Sequence, residues 1–409
     1  TAYNTAVGSE AGTAVTTGVQ NTLIGALSGD ALTTGNSNVA LGYQALTTNT
    51  ASHRNTSVGE FSLMTMNITS DTNGYNTAMG YSAGASITTG VENDLIGALA
   101  GDALTDADYN VAVGRSSLSA DTKGSRTTAL GHAALAVQNF TSSTDTYNTA
   151  VGFYAGVNVT TGIQNTLIGG LAGDAMTDAD RNTAVGYVAL STNTKSDRNT
   201  AIGRSALENL NHTSVTSGLN TAIGHGAGSS MTTGIQNTLI GAAAGDSIQD
   251  AQLAICVGYN AGTNASGTGN QIVIGNNLTG AGANNVKFGT SNGTATLGLD
   301  GSDTSWAASS DLRLKTNVAD CAVGLDFIKD LRPITFNWNK KDAIANTLAQ
   351  YDADSSDPVY GSGKTQHGFI AQEVKTAINA HSGLKDGFTM WSEDPDGTQQ
   401  VAPSALIPM

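Results

Sequence analysis

Asn4-Thr5-Ala6-Val7-Gly8 returns as Asn21-Thr22-Leu23-Ile24-Gly25, and again as Asn38-Val39-Ala40-Leu41-Gly42. The glycine falls at 8, 25, 42, 59, 80, 97, 114, 131, 152, 169, 186, 203, 224, 241, 258 and 275, in steps of 17, 17, 17 and 21. Gly8, Gly80, Gly152 and Gly224 therefore share a period of 72, and the chain opens with four copies of a unit made of four short coils. The fourth copy decays through LAICVG and QIVIG, and Gly289 follows after a step of only 14.

The columns of this repeat carry the physics. The residue before the glycine is aliphatic in all sixteen coils, as in Val7, Ile24, Leu41, Val58 and Met79, and the residue four before it is Asn in thirteen. The exceptions are Thr127, Ala254 and Gln271. Ala or Ser stands three after the glycine in the first fifteen coils, and the next position reads Gly, Gly, Leu, Leu in each of the first three copies. This period is far longer than a helical turn, and TTG, SGD and DAD clusters interrupt it as turns do. Short alternating runs such as Asn-Thr-Ala-Val read as strands of about four residues. The fold expected is mainly β: a parallel β-solenoid or β-roll shaft, coil stacked on coil. A rise of about 4.8 Å per rung gives a shaft of roughly 75 Å. One aliphatic and one Ala or Leu per coil is too little to enclose a core, so the expected arrangement is an intertwined homotrimer burying the aliphatic and Ala columns between chains.

Composition agrees with a repetitive protein. Fifty of 409 residues are glycine with only five prolines, and charged residues are 12% against about 25% in ordinary domains. Collagen is excluded by the spacing, a disordered chain by the low charge, and a membrane span by the lack of any apolar run near 18 residues. A net charge of −15 repels phosphate backbones and anionic headgroups, so neither nucleic acid nor a membrane is an expected partner. Two cysteines, Cys256 and Cys321, suit assembly in a reducing cytosol. The opening at Thr1, in mid-pattern and without an initiator Met, suggests a fragment.

The histidines at 53, 132, 212, 225, 367 and 381 have no metal-ligand spacing, so neither a metal nor a cofactor is expected. Asp102, Asp106 and Asp108, with Asp174, Asp178 and Asp180, read as turn formers rather than calcium ligands. Tyr43, Tyr81, Tyr187 and Tyr259 follow the repeat glycine and could stack on sugars, although their recurrence favours a structural role. Hydrolysis of a polysaccharide needs a unique carboxylate pair, and carboxylates that recur from copy to copy argue against a depolymerase.

After Gly301 the repeats stop and Lys, Trp and Phe appear. Leu325, Ile328 and Leu331 suggest a short amphipathic helix closed by Pro333, and Ile334, Phe336 and Trp338 alternate as a strand would. Asp342 to Gln366 reads as loop, and HGFIAQEVKTAI from His367 as a strand end entering a helix. The expected divisions are a shaft over 1–291, a connector over 292–309 and a small α+β domain over 310–409.

The NTAxG-x-x-A pattern resembles the heads of trimeric autotransporter adhesins and the shafts of some phage tail fibres, although the period here is longer than in those heads. SDLRLK from Ser310 and HGFIAQEV from His367, separated by LRPITFNW, resemble the endosialidase-type C-terminal intramolecular chaperone, a self-cleaving serine peptidase of tail spikes and fibres. That resemblance implies trimerisation, guided folding of the shaft, and cleavage at the Ser309–Ser310 bond, with Ser310 as nucleophile and Lys315 as base. Asp311, Arg313, Gly368, Gln372 and Glu373 match the motifs in supporting positions. A serine hydroxyl needs a base, and a lysine serves once burial lowers its pKa, which trimer assembly would supply. The chain stops where the family continues in a long helix, so the domain is expected to be C-terminally truncated. The implied role is a virion tail fibre, assembled in the host cytoplasm, that contacts other tail or baseplate proteins and a cell-surface receptor, with contact favoured near 270–309. The alternatives are a bacterial trimeric adhesin on the cell surface and, behind it, a tail-spike depolymerase acting on surface polysaccharide.

Overall fold

The computed structural model describes residues 2–290, 293–299, 307–308 (backbone only), 316, 323–346, 351–360, 365–384, 388, 390–393 and 398–403. The chain divides into two compact units, Thr1–Ser309 and Ser310–Met409.

The first unit is a parallel β-solenoid. Each coil contributes a three-residue strand, from Thr5–Val7 and Thr22–Ile24 through to Ile255–Val257, and each pairs in register with the next: Thr5 with Thr22, Ala6 with Leu23, Val7 with Ile24. The stack continues past the sixteenth coil, because Asn285–Thr290 adds another parallel rung on Gln271–Asn276. Gly293–Gly298 and Ala307–Ala308 then pair antiparallel, making a sheet of nineteen strands among the described residues.

Two features explain the invariant columns. The repeat glycine holds φ near +130°, as at Gly25 and Gly114, and a Cβ on Gly25 would lie 2.4 Å from the carbonyl oxygen of Gly42. Backbone conformation and rung spacing thus both demand glycine. The asparagine column forms an internal ladder: Asn21 Oδ1 accepts the backbone N–H of Asn38 at 2.9 Å, while Asn38 Nδ2 donates to the Ser52 carbonyl at 2.9 Å. Asn55, Asn93 and Asn182 repeat both bonds or one of them, satisfying polar groups that the coil removes from water.

Burial corrects one expectation. From the second coil onward a single chain encloses its own core, formed by the residue two before the repeat glycine together with the positions three and four after it, such as Leu23, Ala40, Leu46, Ala100 and Leu118. The Ala column is buried inside the coil and not between chains. The aliphatic residue before each glycine points the opposite way, since successive strand residues alternate faces. Val7 is 59% exposed, Met79 43% and Ile168 38%. The physical reason is size matching. In the second coil of each copy Leu23, Leu95, Leu167 or Leu239 enters the space left by glycines four after the repeat glycine, and an added Cβ on Gly156 or Gly173 would meet Leu167 at 2.6 and 2.9 Å. In the third and fourth coils of the first three copies the inward strand residue is Ala or Ser, and a leucine such as Leu118 or Leu135 fills the space instead.

The longer fourth coils carry small outgrowths. Gly124–Ser125 pairs with Thr144–Asp145, and Ser196–Asp197 with Thr216–Ser217; His53 and Asn73 form the equivalent bridge in the first copy. An arginine clips each one: Arg54 to Asn73, Arg126 to Asp145 and Arg198 to Ser217.

In the second unit, α1 (Leu325–Asp330) and α2 (Ala371–Ala380) pack around Phe327, Leu331, Val374, Ile378 and Met390. The expected helix forms, but it buries Phe327 and leaves Leu325 and Ile328 exposed, because so short a helix makes too few turns for a stripe at spacings of three to define the core. Ile334–Phe336 pairs antiparallel with Gln366–Gly368, and a 3-10 turn at Lys341–Ala343 interrupts the expected loop.

Candidate functional site

The motif residues fall on both sides of the boundary of description. Ser309, Ser310, Asp311, Arg313 and Lys315 lie outside the described residues, as does Cys321, whereas Gly368, Gln372 and Glu373 lie within them. The strand Gln366–Gly368 leads through Phe369 and Ile370 into α2, so the run from Gly368 to Glu373 crosses one strand-to-helix junction. Gly368 opposes Ile334, and a Cβ on it would come to 3.3 Å from the Phe336 ring.

Glu373 sits in the first turn of α2, where a carboxylate complements the helix dipole. It accepts a bidentate pair of hydrogen bonds from Arg332, Nε to Oε2 at 3.0 Å and Nη2 to Oε1 at 2.5 Å. Those bonds hold the Glu373 carboxyl below its ordinary range and push the Arg332 guanidinium up. At the far end of α2, His381 Nε2 meets Asp330 Oδ2 at 2.8 Å. Two polar clips therefore fasten the end of α1 and the residues after it to both ends of α2. Between them runs an open groove of about 560 Å³, walled by Asp330, Arg332, Gln372, Glu373 and Thr376.

Gln372 also borders a larger apolar hollow of about 770 Å³, walled by Phe336, Trp338, Tyr360, Phe369 and Val401. Sequence reading did not single out Arg332, Asp330 or His381. Arg332 lies inside the quoted LRPITFNW stretch, but a partner 41 residues away leaves no local signal.

On the shaft, the DAD clusters do the work of turns. Asp108 Oδ1 accepts the Val91 N–H and Asp180 Oδ1 the Ile163 N–H, each at 2.8 Å, as Asn36 does for Val19 in the first copy. No group of three or more metal-ligating side chains is present among the described residues. Cys256 occupies an inward strand position, where burial pushes its thiol up to about 12 and leaves it unreactive. Tyr43, Tyr81, Tyr187 and Tyr259 are exposed, and Tyr43, Phe61 and Tyr81 touch edge to face. Among the described residues no helix is long and apolar enough to cross a membrane.

No curated protein and no solved structure matches the chain. Residues 310–383 match the family described as the chaperone of endosialidase, and this similarity, behind a parallel β-solenoid, supports a tail fibre or spike folded with an intramolecular chaperone.

Proposed function

We propose that this chain is the shaft of a phage tail fibre, a homotrimer that presents a host-recognition surface and is folded by its own C-terminal domain. That domain then releases itself at the Ser309–Ser310 bond. The observation that carries the assembly is the outward aliphatic ladder, exposed or half-buried at every rung, which runs along the outer face of the sheet from Val7 to Ile240. At about 4.8 Å per rung and roughly 10 Å of width it amounts to roughly 700 Å² of apolar surface, above the roughly 300–600 Å² common on monomers. Parallel copies sharing one axis would set each ladder residue against its own equivalents, and the family similarity of residues 310–383 supports three such copies.

In the release step, Lys315 takes the Ser310 hydroxyl proton and Ser310 Oγ attacks the Ser309 carbonyl carbon. The peptide bond between them breaks as Lys315 returns that proton to its nitrogen, which leaves as the new amine of Ser310, and Ser309 is held as an ester on Ser310 Oγ. Water hydrolyses that ester, leaving a carboxylate on Ser309 and restoring the Ser310 hydroxyl. The support is the S-D-x-R-x-K motif standing where the matched segment begins.

Light scattering on the full chain should give three times the subunit mass. Ile168→Lys combined with Ile202→Lys should dissociate the particle, and a wild-type monomer with the ladder open to water would refute the assembly. Denaturing electrophoresis should show two fragments, and Ser310→Ala or Lys315→Ala only one. Cleavage at the same bond in either variant would overturn the dyad.

A further inference from the structure

The residue after each repeat glycine forms a second outward column, set in register by a backbone ladder. The Tyr154 N–H donates to the His132 carbonyl, the Ala133 N–H to that of Arg115, the Ser205 N–H to that of Tyr187 and the Gly226 N–H to that of Arg204. At two places this column pairs arginine with histidine on neighbouring rungs. Arg115 Nη1 lies 3.4 Å from His132 Nε2, and Arg204 Nη1 lies 3.1 Å from His225 Nε2. An exposed aromatic continues each pair. Phe153, 54% exposed, stacks on the His132 ring at 5.5 Å, and Tyr187, 52% exposed, precedes Arg204 by one rung. Neither arginine forms an ion pair among the described residues, in a chain of net charge −15.

We propose that these two clusters bind a carboxylate-bearing saccharide. The guanidinium would take the carboxylate in a forked hydrogen bond, with the imidazole beside it, and the ring of Phe153 or Tyr187 would cover the C–H face of a sugar. A second copy of the chain is a poorer occupant. Parallel copies closing on this column would bring three Arg115–His132 pairs together, and juxtaposed like charges disfavour that contact. The column therefore stays outside a trimer built on the aliphatic ladder. The two arginines stand five rungs apart, roughly 24 Å at the usual strand spacing, so one acidic polysaccharide could engage both clusters and gain by multivalency. The inference rests on the fibre reading only for its biological role, since binding can be measured on the purified chain.

Calorimetry of the full chain with an oligogalacturonate, against maltohexaose as neutral control, tests it. The acidic oligomer should bind, more weakly at high salt, and maltohexaose should not. Arg115→Ala with Arg204→Ala should weaken binding about tenfold or more, as expected for lost charge-assisted hydrogen bonds. Phe153→Ala with Tyr187→Ala should weaken it too, with the circular dichroism spectrum unchanged. Absence of binding, equal binding of the neutral sugar, or arginine variants that bind as well as wild type would overturn the proposal. A fall in assembled mass in the arginine variants, without loss of binding, would assign the column to contacts between copies instead. A monomer that binds the oligomer defeats the trimer and spares this site; a trimer that does not bind it does the reverse.

Discussion

Exchanging the two packing solutions found within one repeat tests the account of the core. Leu167 is fully buried, and its methyl groups occupy the space over Gly156 and Gly173. Leu167→Ala removes three carbons, about 2.4 kcal/mol of transfer at roughly 0.8 per methylene, and the residual cavity raises the loss to about 3–4 kcal/mol. Gly156→Leu alone should also destabilise, by about 1–3 kcal/mol, because its side chain must enter space that Leu167 fills. Backbone conformation does not forbid it: Leu46, Leu118 and Leu190 occupy the equivalent position at φ of 56°, 53° and 53°. The double variant reproduces the arrangement of the third and fourth coils, where leucine stands at that position and Ala on the strand.

Its loss should therefore be smaller than the sum of the singles by at least about 1 kcal/mol, the coupling expected of residues in contact. Hydrogen exchange by mass spectrometry is the suitable assay, because a solenoid opens locally and one global midpoint would blur the effect. Amides of Thr166–Ile168 should exchange a few hundred-fold faster in Leu167→Ala, a tenfold change corresponding to about 1.4 kcal/mol, and partly recover protection in the double variant. Strictly additive losses, or a neutral Leu167→Ala, would refute the size-matching argument.

The arginine clips are exposed, so Arg126→Ala should cost less than about 1 kcal/mol globally; limited proteolysis should nevertheless cut within Thr141–Asp145 faster at an unchanged melting temperature. Asp121 stands where the first and third copies have Asn49 and Asn193, accepting bonds from Gln138 Nε2 and the backbone N–H groups of Gly124 and Phe140, and burial raises its pKa. A raised folded-state value means the folded chain holds this proton more tightly than the unfolded chain. The stabilisation is complete below the ordinary carboxylate range and is lost as pH rises through the folded value. Asp121→Asn should flatten the denaturation midpoint between pH 4 and pH 7 relative to wild type, and an unaltered slope would exclude the carboxylate as its source. Phe327 is fully buried at the centre of the second unit, so Phe327→Ala should cost about 3–5 kcal/mol there and give insoluble shaft on expression if that unit guides folding; normal yield of folded shaft would count against the chaperone role.

The steps of 17, 17, 17 and 21, the glycine column and the asparagine column could all be read from the chain, because each reports a requirement that a coil meets locally. A positive φ and a carbonyl 2.4 Å from any added Cβ leave only glycine at Gly25, whatever lies on the far side of the coil. The C-terminal motifs were legible for a similar reason, since short contiguous runs carry them; the geometry around Ser310 and Lys315 lies outside the described residues.

Which way the ladder faces was decided only in three dimensions. Met79 and Ala78 differ by one position, and the closing of the coil, not hydrophobicity, places Ala inside and Met outside. The Gly, Gly, Leu, Leu pattern was visible as a pattern, but its meaning depends on Leu167 reaching Gly156 in the coil before it and Gly173 in its own. Arg332 with Glu373, and Arg115 with His132, likewise meet across 41 and 17 residues. A linear pattern records what each residue must be for its own backbone, whereas a partner is chosen by the distance that folding imposes between parts of the chain.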